Sequence, residues 1–156
     1  MKKLLIGRFE AKDHPDFMLV DNKYHVNSEM YLQKETINAF INMHQAAKED
    51  GIKLMIISGT RNFYEQKEIW EKKYSKYAKE GMSDIDIIKK IMIWSAMPAT
   101  SRHHWGTDID INGFDDYFDG INKQSNIEYK WLVNNASKFG FCQVYSEKTI
   151  GKREVG

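Results

Sequence analysis

Within GTDIDIN, residues 106 to 112, the five residues from Asp108 to Asn112 alternate polar and apolar. A period of two belongs to a half-buried β-strand, so Ile109 and Ile111 are expected on the core side and Asp108 and Asp110 on the opposite, polar face. Much of the rest of the chain follows the helical period instead. In EMYLQKETINAFINMHQAAKEDG, Leu32, Ile37, Phe40, Ile41 and His44 fall near one helical face, and Gly51 stops the pattern. Asn62 followed by Glu65 resembles a capping box opening the helix FYEQKEIWEKKYSKYAKE, with Ile69 and Trp70 as its apolar residues. Ser83 with Asp86 opens another, SDIDIIKKIMIWSAM, which Pro98 closes. IKLMIIS reads as a buried strand, and a helix near 127–138 and a strand FCQVYS follow. Residues 1–28 read as polar and irregular, with turns at HPDF and DNKY. A chain that carries both periods is α+β. Its core is expected where Ile56, Ile109 and Ile111 meet Trp94 and Trp131.

At 156 residues the chain suits one domain, and with two prolines, no repeat and no low-complexity tract it shows no linker. The balance of 23 basic and 22 acidic residues argues against nucleic acid or an anionic membrane as partner. The longest apolar runs, LMII and IMIW, fall far short of the roughly 18 residues of a membrane helix. MKKLLIG starts like a signal peptide, but charges resume at Arg8, so it reads as mature sequence without a signal peptide. A single cysteine, Cys142, excludes an internal disulfide and a cysteine-built zinc site, and reads as a small core residue of an apolar strand. His14, His25 and His44 sit in a turn, a loop and a helix and suggest no site.

The chemistry concentrates in SRHHWGTDID, Ser101 to Asp110. His103 precedes Asp110 by seven residues, which a straight strand would place on opposite faces; a turn or bulge at Gly106 would bring them to one point. An imidazole and a carboxylate at one point are either a hydrogen-bonded pair, the commoner arrangement, or part of the three-ligand set of a catalytic Zn²⁺. Spacing alone leaves both open. If 101–105 is extended, His103 and His104 face opposite ways, leaving His104 to support a ligand from behind or to pack with Trp105. Asp108 shares the face of Asp110, where it would orient a ligand or stay solvated.

Two motifs together carry a resemblance. SRHHWGTDID fits the pattern S-x-H-x-x-G-x-A-x-D except that Asp108 replaces the small residue, and SGTRNFYEQ, residues 58–66, fits S-G-x-R-x-x-x-x-Q. In that order, they are similar to the signatures of the VanY-type D-alanyl-D-alanine carboxypeptidases, zinc metallopeptidases of the LAS group. The LLIGRF and HPDF segments and FGFC also look like that family, so the likeness covers nearly the whole chain. It implies a small central antiparallel sheet carrying the zinc site, packed with helices, in a single peptidase domain over 1–156. It further implies that His103 and Asp110 are zinc ligands, that Arg61 grips the substrate's terminal carboxylate, and that Gln66 and Ser101 line the pocket. Arg61 suits its role, because a planar guanidinium binds a carboxylate bidentately and a lysine does not.

The resemblance also exposes a departure. The family closes its site with a catalytic Glu and a final His ligand, yet no histidine follows His104, and neither Glu147 nor Glu154 is followed by one. The third ligand and the general base are expected beyond Gly156, so these 156 residues alone are expected to be truncated and inactive. The intact enzyme would be a zinc D,D-carboxypeptidase of the cell envelope acting on peptidoglycan stem peptides ending in D-Ala-D-Ala, although similar proteins cleave other bonds. The alternatives are a catalytically inactive cell-wall peptide-binding module of the same fold and, ignoring both motifs, a cysteine hydrolase using Cys142.

Overall fold

A computed structural model describes residues 2–27, 29–113 and 123–144, without the side chains of 123–126. In chain order the elements are α1 (Lys2–Leu5), β1 (Phe17–Leu19), β2 (Tyr31–Gln33), α2 (Lys34–Glu49), β3 (Ile56–Ser58), α3 (Phe63–Lys79), α4 (Asp84–Met92), β4 (Asp110–Ile111) and α5 (Lys123–Asn135). Helices and short antiparallel strands make this an α+β protein, with two two-stranded sheets, β1–β2 and β3–β4, where one central sheet was expected. The backbone divides into two compact units, one comprising the chain up to Glu10 and Arg61–Trp105, the other Ala11–Thr60 and Gly106–Gln143.

The second unit is organised by apolar burial. Along α2, Ile37, Phe40, Met43 and Ala47 recur every three or four residues, and all are buried. They close on Val20, Met30, Leu32, Ile52, Leu54 and Ile56 in one cluster. Each of these side chains larger than alanine contributes about 1.5–3 kcal/mol by leaving water. The helix starts at Lys34, later than its periodicity suggests, because Tyr31–Gln33 pair with β1 (Met18 opposite Leu32) and so take the extended conformation. It stops at Gly51 as expected, where φ is +74°. Of IKLMIIS only Ile56–Ser58 is strand, although Ile52 and Leu54 are still buried.

β4 is two residues long and pairs with β3, Ile56 opposite Ile111 and Ser58 opposite Asp110, with a register shift between them. Ile109, Ile111 and Trp131 pack on the apolar cluster, as the alternation predicts. Asn112 takes the left-handed conformation, φ +64°, which asparagine tolerates better than most residues. Its side chain accepts from the Met55 N–H (2.7 Å) and donates to the Lys53 carbonyl (2.8 Å) and to the buried Glu128 carboxylate (2.7 Å), suturing β4 to β3 and α5. The dipeptide Asn112-Gly113 is the sequence signal for such a turn.

The first unit is helical. Asn62 and Glu65 form the predicted capping box at α3, each side chain bonding the other's backbone N–H. The Ser83 hydroxyl accepts from the Asp86 N–H at the start of α4. Tyr74 at 2.6 Å from Asp84, and the Lys90 ammonium 4.1 Å above the Tyr77 ring, join α3 to α4. Ile87 and Ile91, one turn apart, are buried.

Several expectations fail for local reasons. α4 ends at Met92, well before Pro98, and Trp94 beyond it is 51% exposed and takes no part in the core. Residues 1–28 hold α1, β1 and two 3-10 turns instead of irregular chain. Residues 141–143 of FCQVYS are not strand and Cys142 is exposed, whereas Tyr145 and Ser146, like Glu147 and Glu154, lie outside the described residues. Among the described residues no helix is long and apolar enough to cross a membrane.

Candidate active site

The first unit carries Arg61, Gln66, Ser101 and His103; the second carries Asp108 and Asp110. Arg61 is half-buried immediately before the capped start of α3, so the capping box at Asn62 fixes the backbone beside it. One helical turn on, Gln66 is 1% exposed. Its Oε1 accepts from Arg61 Nη1 at 2.7 Å, and its Nε2 donates to the Ala96 carbonyl at 2.6 Å. Trp70 Nε1 donates to the same carbonyl, also at 2.6 Å. The amide thus orients the guanidinium from behind and is itself oriented by the segment after α4. A buried amide with both ends satisfied holds its rotamer, because losing either bond would leave a polar group unpaired in the interior.

The segment expected to be extended, 101–105, is a 3-10 turn over Arg102–Trp105. Its bonds run to residues forty positions away, which local sequence does not reveal. The Arg61 N–H donates to the His103 carbonyl at 3.2 Å, and the His104 N–H to the Ser101 carbonyl at 3.1 Å. Ser101 is 3% exposed and His103 half-buried. His104 is fully buried. Its Nδ1 donates to the Arg61 carbonyl at 2.6 Å, and its Nε2 accepts from the Ala99 N–H at 3.1 Å. Burial pushes the imidazole below the usual histidine range, partly offset by the bond to the Arg61 carbonyl. The predicted packing with Trp105 gives way to this backbone role. Trp105 instead donates to the Leu5 carbonyl at 3.3 Å, with the Arg102 guanidinium 5.3 Å from its ring.

Gly106 has φ +71°, the permissive turn anticipated ahead of the strand. A side chain there would also overlap Phe17. Asp110 and Asp108 are half-buried, Asp110 on β4 and Asp108 in the loop before it. The donor types of His103 and Asp110, imidazole nitrogen and carboxylate oxygen, suit Zn²⁺. Among the described residues no group of three histidine, cysteine, aspartate or glutamate side chains is placed to hold a metal ion.

The VanY family model, described as D-alanyl-D-alanine carboxypeptidase, matches residues 29–156 and so includes both motifs. The chain belongs to the VanY D-alanyl-D-alanine carboxypeptidase family. It is 34% identical over 103 residues to a D-alanyl-D-alanine carboxypeptidase of Enterococcus faecalis, a match covering 66% of this chain and 37% of that protein. To the putative carboxypeptidase YodJ of Bacillus subtilis it is 32% identical over 121 residues, covering 74% and 39%. The chain therefore spans about two fifths of the length of these curated relatives. Among solved structures it is similar to a variant of the vancomycin resistance D,D-pentapeptidase VanY in complex with Zn(II), with a TM-score of 0.63, 27% identity, and 82% of this chain and 72% of that one covered. The LdcB LD-carboxypeptidase gives a TM-score of 0.67 at 27% identity, covering 91% and 63%. The fold expected from the motifs is thus the fold found.

Proposed function

We propose that this chain functions in a zinc-dependent D-alanyl-D-alanine carboxypeptidase that trims peptidoglycan stem peptides in the cell envelope. The observation that carries the reading is the family match spanning both signature segments, Ser58–Gln66 and Ser101–Asp110. It is supported by VanY structures complexed with Zn(II) and with D-alanine-D-alanine. In this reading Arg61 receives the terminal carboxylate of the substrate, held in its working rotamer by Gln66. Ser101 lines the same pocket. His103 and Asp110 are two of the zinc ligands, and a bound Zn²⁺ would supply Lewis-acid polarisation of the scissile carbonyl and a water of lowered pKa. Asp108, where the family pattern has a small residue, adds a carboxylate beside the ligand strand.

The test is made on the full-length gene product. It should bind zinc and release D-alanine from a peptide ending in D-Ala-D-Ala. Arg61→Ala should cost roughly 2–5 kcal/mol in kcat/KM, as for truncating one partner of a buried charge pair. His103→Ala and Asp110→Ala should each lower zinc affinity, read by chelator competition. Tight peptide binding with no D-alanine release would instead identify an inactive cell-wall-binding module. Activity that survives all three substitutions would refute the reading.

A further inference from the structure

We propose that His104 is a positioning residue, whose imidazole locks the carboxylate-binding arginine and the metal-binding histidine into one rigid piece. The inference rests on the roles just given to Arg61 and His103. Its geometry is independent of them. Two backbone groups claim the ring: the Arg61 carbonyl takes a hydrogen from Nδ1 at 2.6 Å, and the Ala99 N–H gives one to Nε2 at 3.1 Å. A carbonyl only accepts and an amide N–H only donates, so the ring must be the neutral Nδ1–H tautomer. The backbone of Arg61 is therefore held at both its polar groups, its N–H by the His103 carbonyl at 3.2 Å and its C=O by the His104 ring. Neighbouring residues of one motif clasp one residue of the other.

The surroundings leave the ring no alternative seat. Its imidazole lies against the backbone of Gly7, where a side chain would overlap Nδ1 and Cγ. Gly7 is itself held by its carbonyl, which accepts from the Phe63 N–H at 2.8 Å at the start of α3. On the far side Ala99 is drawn into the left-handed region, φ +75°, an unusual conformation for alanine, while presenting its N–H to Nε2. An apolar side chain of similar size would fill this space but leave the Arg61 carbonyl and the Ala99 N–H without a partner, and both would then move to find one. Because the carbonyl belongs to Arg61 and the ring to the residue next to His103, whose own carbonyl holds the Arg61 N–H, that movement reaches both functional residues. A histidine that merely filled the core would have no such reach.

The experiment compares His104→Leu with His104→Gln in the full-length protein, with Arg61→Ala and His103→Ala alongside. His104→Leu should fold, as judged by circular dichroism, yet raise KM for a D-Ala-D-Ala peptide and weaken zinc binding. Each effect should be roughly 10- to 100-fold, the range for losing a group that supports a metal ligand. His104→Gln retains one donor and one acceptor on the same planar group and should recover most of both. A folded His104→Leu with zinc affinity and KM unchanged, or a His104→Gln as damaged as His104→Leu, overturns the proposal. If His104→Leu is silent while Arg61→Ala and His103→Ala are severe, only this inference fails; if those two are also silent, the functional reading itself fails. Should His104→Leu not fold, two-bond ¹H–¹⁵N spectra of the wild type decide: a slowly exchanging Nδ1–H supports the clamp, and an Nε2–H tautomer refutes it.

Discussion

The two units bury different things. Among the described residues, all the buried apolar side chains except Ile87 and Ile91 belong to the second unit, gathered mainly around α2 and β3. The first unit sets only those two beside the polar Gln66, Ser95, Ser101 and His104, whereas in the second the polar His25, Thr36, Ser58 and Glu128 are a minority beside the apolar cluster. Apolar burial is non-directional and tolerates adjustment, whereas a buried amide or imidazole is favourable only in the orientation that satisfies its hydrogen bonds. The second unit is thus stabilised mainly by area, and the first is specified mainly by direction. The residues proposed to recognise the substrate's carboxylate lie in the directional one, which is where precision of a few tenths of an ångström matters.

The largest effect that could break this contrast is in the apolar unit. Phe40, 1% exposed and edge-on to Tyr24 at 6.1 Å between ring centres, should cost about 3–5 kcal/mol of unfolding free energy on truncation to alanine. Urea denaturation of Phe40→Ala measures it, and a loss below about 1 kcal/mol would mean that the cluster is not the main source of stability. Next comes Gln66→Leu, which fills the same space but takes the acceptor from Arg61 Nη1 and leaves the Ala96 carbonyl only its Trp70 donor. About 1–3 kcal/mol of stability should go. The informative signature is a rise in KM for D-Ala-D-Ala peptides, which Phe40→Ala should not produce in the fraction that remains folded. Equal KM values for the two variants would erase the distinction between the units.

Ser83→Ala calibrates the lower end. The serine hydroxyl caps α4 through the Asp86 N–H, and its removal should cost about 1 kcal/mol with no change in KM. A kinetic effect from this site would show that directional bonds throughout the first unit, and not only those around Arg61, tune the chemistry.

What was legible in the sequence follows the same division. The caps at Asn62 and Ser83 are written in residues a few positions apart and are found where spacing puts them, as is the burial of Ile37 and Phe40, but the buried face of α2 runs on through Met43 and Ala47, with Ile41 and His44 half-buried and Leu32 on β2. The inward packing of Ile109 and Ile111 is likewise local, being set by alternation. β1 and β2 escape notice because three-residue strands are too short to show a period and exist only by pairing with each other. Trp94 reads as core from the apolar face of its expected helix, but that helix ends two residues earlier. The turn at Arg102–Trp105 is the most telling case. Its conformation answers to the backbone of Arg61, so treating the stretch as extended assigned His104 no bond to Arg61, where the folded chain gives it one of 2.6 Å. The motifs supplied the candidates Arg61, Gln66, Ser101, His103 and Asp110; the linkage between the two motifs is visible only in three dimensions.

Gly7 has a consequence in terms of mutational tolerance. It lies outside both signatures, more than fifty residues before the nearer one, and by position alone it would be taken for a freely variable residue near the start of the chain. Yet any side chain there would have to adopt φ +74° and enter the space of the His104 ring. A saturation library scored for growth or activity should find position 7 as intolerant as the motif positions themselves. Partial relief should come only when residue 104 becomes smaller in the same clone, so that two sites nearly a hundred residues apart vary as one.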